Sequence, residues 1–235
     1  MIDRAKAHKY HNVNLQAIGS TLTQVALSAK LAIRQRRHKE LSFHNKLYCL
    51  LLGAWAEVRL QKLLNDTGGF SKTDLKIINA EDKQFSKWRK CIEIAFQHKY
   101  QCALDKLPKT ASMRFDLIVK YMNDHLEPII RIRNRLAHGQ WIYVFNSDLT
   151  DIEQNALQYL NQQNILTLQF KMDLLDAIAK LIHDLVVSKP TFERDFDSHC
   201  RKIDSIESNI RSRSYKAYVQ SLLKRQESGV RKRGS

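Results

Sequence analysis

Arg131-Ile132-Arg133-Asn134-Arg135-Leu136-Ala137-His138-Gly139 closes an apolar run that begins near Thr110 and carries Phe115, Ile118, Val119, Met122, Leu126, Ile129 and Ile130. These positions recur at the spacing of one helical face, so the run predicts a helix. Pro128 falls inside it and is expected to bend the helix just ahead of its polar end. Gly139 is the residue that can turn left-handed and stop the helix. His138 then sits in the last turn, directly before the stop. At 3.6 residues per turn Asn134 and His138 lie roughly 40° apart, on one face, whereas Arg133 lies roughly 140° from His138. A long side chain or a loosened last turn must close that gap.

The residue types name a chemistry. An arginine offers a planar fork of donors that fits a phosphate, and a histidine moves protons near neutral pH. An adjacent asparagine can orient the imidazole or a ribose hydroxyl. Four other pairs, Arg4 with His11, Arg37 with His44, Arg131 with His138 and Arg194 with His199, meet the same loose Arg-to-His spacing. What sets Arg133 and His138 apart is the string around them: Asn134 directly after the arginine, the small apolar pair Leu136-Ala137, and Gly139 directly after the histidine.

This string, Arg-Asn-x-Leu-Ala-His-Gly at the end of a helix in a helix-rich chain, resembles the signature of the HEPN superfamily. The resemblance is specific over about nine residues and architectural over residues 40 to 190. It implies an all-α fold, an antiparallel helical bundle, here with an extra N-terminal helix and a C-terminal helical extension. It also implies a metal-independent endoribonuclease cleaving single-stranded RNA, working as a homodimer whose two motifs share one composite cleft, with Arg133, Asn134 and His138 as the catalytic residues. The setting it implies is antiviral defence, stress response, or a toxin held by an antitoxin or other regulatory partner protein. One toxin branch carries a tyrosine two residues after the histidine, where this chain has Gln140, so regulation through that tyrosine is not implied. Members that only bind RNA or partner proteins also exist, which leaves a non-catalytic RNA-binding or interaction module as the alternative.

Composition agrees with helix: 235 residues contain only 7 Gly and 3 Pro. The length suits one domain with an extension. The net charge of +15 is unevenly spread, with +6 in residues 1–40, +7 in residues 201–235 and only +2 between. The chain therefore divides into a basic N-terminal helix (1–40), the bundle (41–188) and a basic C-terminal helix and tail (189–235), with the basic ends either meeting a polyanion such as RNA or simply aiding solubility. Cys49, Cys91, Cys102 and Cys200 show no CxxC pairing and read as reduced thiols of a cytoplasmic protein. The longest apolar run, Leu47–Ala56, is about half of what a bilayer span requires, so no membrane location is expected. The chain has no HExxH, no clustered ligand set and no Gly-rich phosphate loop, so neither a metal nor another cofactor is expected.

The other helices are expected over about 12–39, from Ser42 to Asn65, over 85–107 and over 167–187, with a short turn at 74–78, a helix or loop at 151–163, and one polar helix over 191–227. Pro108 should end the 85–107 helix, which places Ala103 inward, and residues 230–235 should be disordered. The Ser42–Asn65 helix, apolar nearly all round, should be the most buried, with Gly53, Ala54 and Ala56 permitting close helix contact. Glu57 follows in that setting and needs a partner. Either Arg133 supplies it, as a supporting residue of the site, or Arg59, Lys62 or solvent does. Arg131 and Arg135 fall roughly 20° and 60° from His138 and either line an RNA path or face water. Trp141 to Phe145, a short strand or extended loop, is expected to pack over the core in preference to stacking on bases.

Overall fold

The computed structural model describes residues 3–146 and 148–231, and these are helical throughout apart from turns and loops, with no strand among them. Helix α1 (Arg4–Arg34) starts at Asp3, whose side chain accepts from the Lys6 amide, and forms a long hairpin with α2 (His38–Leu64). The expected end at Lys39 is wrong by five residues. Arg36 adopts φ 55°, with the Arg36 amide bonded to the Ile33 carbonyl and the Arg37 amide to that of Ala32. This is a Schellman stop built on arginine in place of glycine. The cationic stretch 34–39 therefore brackets the interhelical turn at 35–37, and α2 begins four residues before Ser42.

The short α3 (Lys72–Asn79) is nucleated by a reciprocal cap between Ser71 and Asp74. Helix α4 (Gln84–Tyr100) ends seven residues sooner than expected, because Gln101 also turns left-handed at φ 54°. A 3-10 turn at Leu104–Lys106 follows, and Ala103, expected inward, is exposed. Helix α5 (Lys109–Tyr121) continues through a π turn at Met122–Leu126 into α6 (Glu127–Ala137). Pro128, with no amide hydrogen and a ring that crowds the preceding turn, stands just after that π turn.

The described residues between Gly139 and Gln154 form an extended loop with one isolated antiparallel bridge between Phe145 and Ile152. Helix α7 (Gln154–Gln162) and α8 (Ile165–Val187), capped by the Asn164 side chain, follow. The single C-terminal helix expected over 191–227 is two helices, α9 (Lys189–Ser212) and α10 (Tyr215–Arg231). Arg213 breaks them with an extended backbone, and Ser214 caps α10 by accepting from the Ala217 amide. Of the expected tail, residues 230 and 231 close α10, while 232–235 lie outside the described residues.

Both basic ends pack on the body. Helix α9 lies along α8, and α10 lies against α1 and α8. His199 of α9 hydrogen-bonds Asp184 of α8 at 2.8 Å. The most buried helix is α8, not α2: eleven of its 23 residues are buried against nine of 27 in α2. The start of α2 stands clear of the body, with His38, Lys39, Glu40, Ser42 and Phe43 exposed. All four cysteines are free, and burial pushes the Cys49 thiol up to about 12, which makes it unreactive. No described helix is long and apolar enough to cross a membrane.

One cation is folded into the body. Lys171 of α8 donates to Tyr159 Oη at 2.9 Å and Gln163 Oε1 at 2.7 Å, neutral acceptors both, and burial lowers its pKa from 10.5 to about 8. Because the unfolded chain keeps the proton to higher pH, the folded state binds fewer protons between about 8 and 10.5 and gains stability as pH rises through that window. Lys171→Met should flatten this rise, as measured by urea unfolding at pH 7, 8.5 and 10.

Candidate functional site

Helix α6 delivers its polar end to the surface by packing on α2 at a single bare position. A Cβ placed on Gly53 would stand 2.3 Å from Arg133 Cβ and 2.5 Å from its Cγ. Only glycine allows α6 so close. The sequence pattern marked Gly53 as a point of close helix contact; the structure shows that the neighbour is Arg133.

From that contact the Arg133 side chain runs outward to Glu57, one turn further along α2. Arg133 Nη2 pairs with Glu57 Oε2, and Nη1 donates to Asn134 Oδ1 at 3.0 Å. Glu57 is not a buried carboxylate: its side chain is 45% exposed and that of Arg133 29%. The pair is therefore a surface clamp that fixes direction more than it adds stability. Two of the guanidinium's five N–H groups are used, and three stay available.

Gly139 stops α6 as the sequence predicts. It sits at φ 79°, its amide bonds the Leu136 carbonyl, and the Gln140 amide reaches back to Arg135. The last turn leaves His138 exposed as the C-cap residue, with no side-chain partner among the described residues. Asn134 is exposed on the same end of the helix.

These side chains line an open groove of about 630 Å³ walled by α2, the start of α4 and α6. Lys83, Lys87, Arg131, Arg133 and Arg135 bring positive charge to it, against Glu57, Asp82 and Glu127. Arg131 is exposed and forms no ion pair among the described residues. Arg135 differs. It is bonded to Glu153 at 2.6 Å, with only 18% of its side chain exposed, and so ties the 140–153 loop to the motif helix. Nothing in the sequence marks that pairing, since Glu153 lies 18 residues downstream in an irregular segment. Nor does the sequence mark Lys83 and Lys87, since lysines at the start of a helix usually signify solvent.

The loop departs from the expectation that its aromatic run packs over the core. Val144 is fully buried and Trp141 stacks on Phe43 at 5.8 Å, but Ile142 and Tyr143 are 64% and 57% exposed. Among the described residues no group of three or more His, Cys, Asp or Glu side chains is arranged to hold a metal ion. Comparison with protein-family models, with curated proteins and with solved structures finds no match in any of the three.

The Gly53 contact is open to a paired test. In Gly53→Ala, overpacking of about 1–3 kcal/mol should outweigh a helix-propensity gain of about 0.5–1 kcal/mol and lower the urea midpoint. Gly19→Ala, where nothing lies within 4 Å of the added carbon, should raise it.

Proposed function

We propose that this chain is a metal-independent endoribonuclease of HEPN type, acting on single-stranded RNA through a composite site made by two copies of the chain. The observation that carries the reading is the pairing of an oriented arginine with an unpartnered histidine at one helix end: Arg133 held by Glu57 and Asn134, and His138 free at the rim of a groove that also carries Lys83, Lys87 and Arg131.

RNA carries its own nucleophile. In the proposed reaction His138 takes the proton of the ribose 2′-hydroxyl, and that oxygen attacks the adjacent phosphorus. The bond to the 5′ oxygen breaks, leaving a 2′,3′-cyclic phosphate and a 5′-hydroxyl end. The three remaining Arg133 donors bind the nonbridging oxygens as charge builds on them. Asn134 holds the guanidinium against the pull of the substrate, and Glu57 aims it. Leaving-group protonation needs a second acid, which the His138 of a partner copy supplies in a two-fold dimer. No cofactor enters this scheme. A cytoplasmic defence effector or toxin, restrained by an antitoxin or other regulatory partner, is the setting the motif resemblance implies.

A second reading has an observation of its own. Arg133 and Arg135 are both already paired with carboxylates, which suits a module that binds RNA or a partner protein and uses its motif only to brace α6.

Labelled single-stranded RNA incubated with excess chelator separates the two. The wild-type protein should cleave it to cyclic-phosphate ends, His138→Ala should lose about 10²–10⁴-fold in rate, and Arg133→Ala should lose at least as much. Intact RNA with a folded, dimeric wild type would favour the binding module.

A further inference from the structure

We propose that the exposed side chains of Ile142, Tyr143, Phe145 and Leu149 form a nucleobase-stacking subsite beside the scissile phosphate, with Tyr143 as its platform. This rests on the nuclease reading for its purpose, though not for its test.

Two hollows meet at His138. One is the cationic groove described above. The other, also about 630 Å³, is lined by Trp141, Ile142, Tyr143, Phe145 and Leu149, and it shares Arg135, His138 and Gln140 with the first. Because the two hollows share His138, a strand with a phosphate on Arg133 in the first groove and its ribose at His138 would carry its next base toward the second. Ile142, Tyr143, Phe145 and Leu149 are 64%, 57%, 36% and 66% exposed, an unusual density of apolar surface for a loop of this length.

The exposure is held in place. Leu149 sits at φ 57°, a conformation that disfavours a branched side chain. The Asn146 side chain accepts from the Thr150 amide and donates to the Thr150 hydroxyl, Gln140 Oε1 accepts from the Phe145 amide, and Arg135 grips Glu153. Buried Val144 and the Trp141–Phe43 stack anchor the base of the loop while Ile142, Tyr143 and Leu149 stay outside. An aromatic platform next to a cationic path is what sequence-tolerant binding of single strands uses. A second copy of the chain is the competing occupant. The continuity of the hollow with the cationic groove favours a polyanion that bears flat rings.

The test uses the intact protein and a single-stranded 2′-O-methyl oligonucleotide carrying one 2-aminopurine, which has no free nucleophile and stays uncut. Stacking should quench the fluorophore on binding. Tyr143→Ala should abolish the quench and weaken affinity about tenfold, Tyr143→Phe should preserve both, and the salt dependence should be unchanged because no phosphate contact is lost. Replacing the 2-aminopurine by an abasic residue should weaken the wild type and leave Tyr143→Ala unaffected. Equal affinity and quench in wild type and Tyr143→Ala would overturn the subsite even if RNA is cleaved, as would a Tyr143→Ala protein that loses only its dimeric mass. Tyr143-dependent quenching by a protein that cleaves nothing would keep the subsite and sink the nuclease. Absence of binding would sink both.

Discussion

Everything at the candidate site depends on the missing side chain at Gly53. Helix packing distances are normally set by the side chains at the crossing point. Here one partner contributes none, and the Cβ and Cγ of Arg133 fill the vacancy. The arginine's stem is thereby part of the α2–α6 packing, while its head is part of the surface. That dual membership removes most of the rotamer freedom a long cation has in water. Glu57 and Asn134 complete the constraint at the far end.

The sequence was most legible where glycine did the work. Gly139 marked the end of the motif helix, and Gly53 marked a close approach, because no other residue tolerates those positions cheaply. The misplaced boundaries fail for the mirror-image reason. Arg36 and Gln101 both occupy left-handed backbone conformations, which cost a residue with a Cβ roughly 1 kcal/mol or more and leave no trace in residue type. Tertiary packing of α1 on α2 and of α4 on α8 offsets that cost, and packing partners are what a single sequence does not display. The break at Arg213 is extended and not left-handed, yet it is equally silent in residue type: Ser212-Arg213-Ser214 carries a capping serine but no glycine or proline.

Polar pairings were legible in part. Arg133 with Glu57 was one of several options, set by a helix face and an apolar neighbourhood. The sequence suggested burial, whereas the carboxylate stands half in water. Arg135 with Glu153 had no signal at all, since it crosses from a helix to an irregular loop. The basic ends present a third case. Their charge was visible in composition, yet only the packing of α10 against α1 shows that the two cationic segments adjoin.

The π turn at Met122–Leu126 sets a phase as well as accommodating Pro128. A π turn is an α-helix with one surplus residue, and each residue is worth about 100° of azimuth. Helix α6 is thus rotated by about that much relative to the heading α5 would have given it. The direction in which Arg133 and His138 look is owed to a single surplus residue upstream, much as the time shown by a clock hand depends on where it was clamped to its shaft.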